Sequence, residues 1–174
     1  MITVEHLTHL STSNQNALTK LLGCCIDSGA SLGFYKESES NILTKYWQSV
    51  NRELENKLRL LYILYDNNEV QATVQLALCH KQNGRHRAEV EKLLVQPRAH
   101  RKGYATKLMA YVESHALKQG IQLLVLDTQS GDKAELFYQA SGYTKVGQIP
   151  NYVSDQEGRF HSTSYYYKHL KLED

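Results

Sequence analysis

Two prolines, three cysteines and one tryptophan among 174 residues leave several architectures without material. The prolines and ten glycines form no tracts, which excludes collagenous and low-complexity disordered chains. Cysteine is both scarce and badly spaced: Cys24 and Cys25 are adjacent, Cys79 stands alone, and no CxxC occurs. Such a set makes neither a disulfide framework nor a zinc site, and it suits small buried hydrophobes in a reducing cytoplasm. His6, His9, His80, His86, His115 and His169 are scattered without ligand spacing, so no metal is expected. No apolar run reaches the roughly 18 residues of a membrane span. The opening Met1-Ile-Thr-Val-Glu-His-Leu lacks a basic segment followed by an apolar one, so neither membrane association nor export is expected. An excess of one charge is lacking too. Lys and Arg number 20 and Asp and Glu 18, a net +2, unlike the clear basic excess of a general nucleic-acid binder.

What is present is enough for one domain with a real core: 41% hydrophobic and 22% charged residues, with no repeat or linker. Residues 1–174 therefore read as a single domain. A short strand is expected over 2–7, then a helix from Ser11 or Ser13 to about Ile26, carrying Leu18, Leu21, Leu22, Cys25 and Ile26. A second helix from about Ser40 carries Ile42, Leu43, Tyr46, Trp47, Val50 and Leu54 at a 3.6-residue period. Two β-type runs, 58–65 and 70–78, flank a polar turn at Asp66-Asn67-Asn68-Glu69, and a third covers 88–95. A helix follows over 103–119, with Gly120 where a left-handed cap belongs. Then come a strand (121–126), a short helix (132–140) and strands at 143–149 and 162–170. The order β-α-α-β-β-β-α-β-α-β-β predicts an α/β fold, a mixed sheet with helices on both faces.

The chemistry concentrates after the third β-run, in Val95-Gln96-Pro97-Arg98-Ala99-His100-Arg101-Lys102-Gly103-Tyr104-Ala105-Thr106. A strand ends at a proline turn, a basic loop follows, and a helix opens near Gly103. Unpaired N–H groups and the macrodipole make such an opening an anion cradle. Gly103 and Ala105 lack bulk, so a pyrophosphate can lie against the main chain, with Arg98, Arg101 and Lys102 around it. No GxxxxGK(S/T) segment is present, and Thr106 stands where a dinucleotide fingerprint needs glycine.

His100-Arg101-Lys102-Gly103-Tyr104-Ala105 after Val95-Gln96-Pro97 resembles the (Gln/Arg)-x-x-Gly-x-(Gly/Ala) coenzyme A motif of the GNAT acetyltransferases. His100 departs from the usual Gln or Arg, and Gly131 from an Asn that many relatives aim at the coenzyme. Arg87-Ala88-Glu89-Val90, Leu126-Asp127-Thr128, Phe137-Tyr138 and Gly158-Arg159-Phe160-His161 resemble the tabtoxin-resistance type within that family. The likeness is firm over residues 85–170 and loose before them. It implies a mostly antiparallel sheet of six to seven strands, acetyl-CoA as cosubstrate, and direct acetyl transfer to a primary amine. The acceptor it implies is small and amino-acid-like, such as a toxin or antibiotic.

Acetylating an amine of pKa about 10 needs a base, and the departing thiolate benefits from an acid. The resemblance implies Glu89 as base, Asp127 as the group that binds or helps deprotonate the amine, and Tyr138 as acid. It also implies that main-chain groups of Leu93, Leu94 and Val95 pair with pantetheine, while His100, Arg101, Lys102, Gly103, Tyr104, Ala105 and Thr106 hold the pyrophosphate. An unbroken strand period puts Glu89, Glu91, Leu93 and Val95 on one face. Glu89 and Glu91 each compete with the role of an ordinary exposed strand carboxylate, function leading for Glu89 and level for Glu91, and Asp127 competes with a simple capping role. His161, in the matched tail, is a weaker acceptor contact, and no GxSxG elbow is present. Rival readings are acetylation of a peptide or protein amine, an acyl-CoA sensor without turnover, and, weakest, a nucleic-acid adaptor. Exposed strand edges and the aromatic tail make a homodimer plausible.

Overall fold

The structure is a computed structural model that describes residues 1–36 and 38–171. Its elements follow the expected order: β1 (Ile2–Leu7), α1 (Thr12–Asp27), α2 (Ser40–Glu55), β2 (Arg59–Asp66), β3 (Glu69–Leu78), β4 (Arg87–Val95), α3 (Tyr104–Lys118), β5 (Leu123–Gln129), α4 (Lys133–Ala140), β6 (Thr144–Ser154) and β7 (Phe160–His169). Local chemistry explains several boundaries. Ser11 caps α1 by accepting the Asn14 N–H at 3.1 Å. Asn67 and Asn68 both adopt positive φ (50° and 64°), the conformation of a tight two-residue hairpin, and join β2 to β3.

Two strands run further than their apolar patterns. β5 continues past Leu126 to Gln129 because Asp127, Thr128 and Gln129 keep pairing with Tyr165, Ser164 and Thr163 of β7. β6 likewise extends past Ile149 to Ser154, through a register shift against β7 between Ile149 and Val153. Ladder hydrogen bonds need no apolar side chain, so periodicity reads only part of each strand. Asp127 is consequently inside a strand rather than capping a turn.

The seven strands form one sheet in the order β1-β2-β3-β4-β5-β7-β6, and only β4 and β5 are parallel. Each face buries its own core. On one, Leu108, Met109 and Val112 of α3 and Tyr138 of α4 pack on Val74, Leu76, Val90, Leu124 and Leu126. On the other, Leu18, Leu21 and Leu22 of α1 and Trp47 and Val50 of α2 pack on Leu61, Ile63 and Leu94. On this face α1 lies over β3 and β4, and α2 over β2. Val125, Asp127, Tyr165 and Tyr167, on that same face of β5 and β7, stay half-exposed.

The expected single face for Glu89, Glu91, Leu93 and Val95 does not hold. Thr73 pairs with Leu94 but Gln75 with Glu91, so β4 carries one extra residue, and Lys92 there has φ 51°. This β-bulge resets the alternation. Glu91 and Lys92 share the α2 side, where Lys92 sits over Tyr46; Leu94 follows them, while Leu93 and Val95 turn to the α3 side.

A buried polar knot fixes α4 to the sheet. Glu135 accepts hydrogen bonds from the Tyr166 hydroxyl, from the Gly131 N–H at 2.6 Å and from Lys145 Nζ at 3.0 Å. Burial would push its carboxyl up, but these donors outweigh burial and hold it at about 2. The folded value lies below the roughly 4.3 of an unfolded glutamate. Its stabilisation is therefore complete above that unfolded value and is lost as pH falls toward 2. Thermal melts across this range are expected to show a steeper acid-side fall in Tm for the wild type than for Glu135→Gln. Parallel pH profiles would refute the knot's contribution.

Candidate active site

The parallel β4–β5 ladder spans only Arg87–Glu89 against Leu123–Val125. Beyond it the two strands diverge, because β5 pairs onward with β7 while β4 bends at its bulge. Gln96 donates its N–H to Gln71 of β3 at 2.8 Å, so alternation turns the main-chain groups of Leu93 and Val95 toward the opening. Leu94, expected to offer its main chain as well, instead pairs with Thr73 of β3. The Val95 carbonyl, at the open edge, accepts the Cys25 thiol at 3.4 Å and lies 3.3 Å from His100 Nε2.

A cleft of about 570 Å3 occupies the divergence. The end of α1, the Leu93–Val95 edge, the opening of α3, and Phe137 and Tyr138 of α4 line it. At its α3 end Arg101 and Gly103 both have positive φ (66° and 77°), which curls the loop where it borders the cleft. The first main-chain bond of α3 runs from the Lys107 N–H to the Gly103 carbonyl, so the N–H groups of residues 103–106 precede it. His100, Arg101, Gly103, Tyr104, Ala105 and Thr106 all border the cleft. The Tyr104 side chain points elsewhere, donating to Asp66 at 2.6 Å, and thereby ties the helix opening to the β2–β3 hairpin. Arg98 is drawn off by Glu69 at 3.2 Å, and Lys102 does not border the cleft.

Of the three candidate side chains only Tyr138 lines the cleft; Glu89 and Asp127 lie outside its lining, with Asp127 near enough to act on both of the others. Glu89 is exposed at the last ladder pair, and its carboxyl is pushed up by desolvation and by the nearby Glu91 and Asp127 carboxylates. Glu91 is committed elsewhere: Arg59 grips it together with Glu53 and Gln75. That separates the two glutamates, leaving Glu89 the unpaired one. Asp127 accepts the Thr163 hydroxyl at 2.7 Å, which orients its carboxylate on the half-open face. Tyr138 is buried, its hydroxyl bonds to none of the described residues, and burial and then Asp127 raise its pKa well above the ordinary phenol value. Cys25 is a poor nucleophile, since burial and then Cys24 raise its thiol to about 11. Among the described residues no group of three or more metal-ligating side chains occurs.

Sequence reasoning missed Thr163, Tyr165 and Lys92. Tyr165 lies close enough to Asp127 and Glu89 to feel both, and it donates to the Tyr152 hydroxyl at 2.9 Å. His161, a weak candidate, is bound 2.8 Å from Asp155 in the β6–β7 hairpin.

The early parting of β4 and β5 and the N–H groups that open α3 frame one cleft. The family model of the acetyltransferase (GNAT) family matches residues 16–143, and the chain belongs to that family. Its fold is similar to that of the N-acetyltransferase from Staphylococcus aureus Mu50, at 15% identity and a TM-score of 0.80, covering 98% of this chain and 99% of that one. It is also similar to the ribosomal-protein-S18-alanine N-acetyltransferase from Escherichia coli, at 18% identity and a TM-score of 0.72, covering 100% and 97%. Salmonella typhimurium yncA, whose structure carries its cofactor acetyl-CoA, matches at 15% identity and a TM-score of 0.75, covering 100% and 96%.

Gly103 stands where a side chain would meet nothing within 4 Å yet would be forced into φ 77°. Gly103→Ala is therefore expected to lower stability by about 1 kcal/mol through backbone strain alone. An unchanged Tm in a thermal melt would contradict this.

Proposed function

We propose that the chain is an acetyl-CoA-dependent N-acetyltransferase of the tabtoxin-resistance type that acetylates the primary amine of a small, amino-acid-like acceptor. The observation that carries this reading is the early end of the β4–β5 ladder at Glu89 and Val125. It leaves an open edge beside the anion cradle of α3 and Tyr138, with Asp127 close to Tyr138 and Glu89 close to Asp127.

The residues present fit the cosubstrate. The N–H groups of residues 103–106, with Arg101 and His100 beside them, suit a diphosphate, and the Leu93 and Val95 main chain suits an amide-bearing arm. Bound acetyl-CoA would supply a thioester carbonyl open to direct attack by an amine. Glu89 and Asp127, both lacking a cationic partner among the described residues, attract the acceptor as an ammonium ion. Glu89 takes the proton, directly or through water, and its raised pKa makes it a stronger base than an ordinary carboxylate. Tyr138 stays protonated and can donate to the departing thiolate. The Cys25 thiol, held up at about 11, disfavours a route through an acylated cysteine.

Two measurements test this reading. Acetyl-CoA at about a hundred times its Kd should stabilise the protein by roughly 2.7 kcal/mol, read as a rise in Tm. Thiol release with a panel of amines should fall by about a hundredfold in Glu89→Gln and in Tyr138→Phe. Full activity in both variants would remove these roles, and an unmoved Tm would remove the cosubstrate.

A further inference from the structure

Lys92 is the residue whose placement the acetyl-transfer scheme leaves unexplained. It occupies the left-handed position of the β4 bulge, φ 51°, a conformation that favours glycine or asparagine and is strained for lysine. Bulges of this kind re-aim side chains, and here the result is a half-buried ammonium on the α2 side, 5.8 Å from the centre of the Tyr46 ring. The neighbouring cation, Arg59, is saturated by Glu53, Glu91 and Gln75. Lys92 makes no ion pair among the described residues, although Glu91, Glu89 and Asp127 act on it from a distance. Burial lowers its pKa from the ordinary lysine value, and the three carboxylates offset only part of that shift. Two residues of β4 thus present opposite charges on one face: Glu89 for an ammonium, and Lys92, over the Tyr46 ring, without an ion pair among the described residues.

We propose that Lys92 Nζ binds an anionic group of the acceptor, a carboxylate, so that the amine beside Glu89 and Asp127 belongs to a zwitterion. This deepens the acetyltransferase reading and rests on it. Lys92 acts as a specificity-determining residue and takes no part in proton transfer. Tyr46 supports it from below, its hydroxyl accepting from Gln75 at 3.0 Å. An acceptor carboxylate would exchange solvent for a charge-assisted hydrogen bond in a partly desolvated site, where such a contact is stronger than at an open surface.

The test uses the full chain, acetyl-CoA and acceptor pairs that differ only in the carboxylate: ornithine and putrescine, lysine and cadaverine, tyrosine and tyramine, histidine and histamine. Wild type is expected to acetylate the carboxylated member of at least one pair with a kcat/KM about tenfold or more above its partner. Lys92→Asn, which suits the bulge backbone and so keeps the fold, should bring that ratio near unity, mainly by raising KM for the carboxylated member. Lys92→Arg should retain part of the preference. Its Tm should show that Lys92→Asn is no less stable than wild type. Equal ratios in wild type and Lys92→Asn, a preference for the decarboxylated amines, or no turnover of any carboxylated member would each overturn the proposal. Turnover of amines alone would leave acetyl transfer standing, whereas loss of the acetyl-CoA-induced Tm rise in wild type would remove the reading beneath it.

Discussion

The divergence of β4 from β5 is the constraint on which the site depends. Parallel strands normally bond along their shared length, and these stop after three residue pairs. Each then satisfies its main chain differently. β5 leans on β7, and β4 keeps β3 on one side while its other edge stays open. Leaving such an edge unpaired is costly in a buried setting, and Cys25 and His100 offset part of that cost at the Val95 carbonyl. The same divergence lets the cleft run between the two layers of helices. A ligand held at the α3 opening can thus present its far end to side chains on the opposite face.

Electrostatics on that face sort the carboxylates. Arg59 neutralises Glu91 and Glu53, leaving Glu89 and Asp127 without a cationic partner among the described residues. Burial pushes Glu89 and Tyr138 in the same direction, up, with opposite consequences. It strengthens the carboxylate as a base and keeps the phenol as a donor. Position along the strand, rather than residue type alone, decides which glutamate Arg59 neutralises.

Most of the architecture was legible in the chain. Helical stripes such as Leu18, Leu21, Leu22 and Leu43, Trp47, Val50, Leu54 pack where a 3.6-residue period puts them, and the His100–Ala105 motif lies at a strand-to-helix turn. The missed features share one physical cause: they depend on main-chain pairing across the sheet. The extra residue in β4 inverts the expected faces of Leu93 and Val95 and removes the Leu94 main chain from the open edge. A trace of it was available, since the polar pair Glu91-Lys92 followed by the apolar triplet Leu93-Leu94-Val95 breaks strict alternation. No local signal places Thr163 beside Asp127, because those residues meet only through the β5–β7 register. Nor does the basic loop reveal that Glu69 draws Arg98 aside.

The central claim is that an open main-chain edge and the amides opening α3 together hold coenzyme A. Amide hydrogen exchange with and without coenzyme A, resolved along the chain by mass spectrometry, reads those groups directly. New protection is expected chiefly in segments carrying Leu93, Val95 and residues 103–106. Protection absent there, with slowing of exchange at some other part of the molecule, would contradict it.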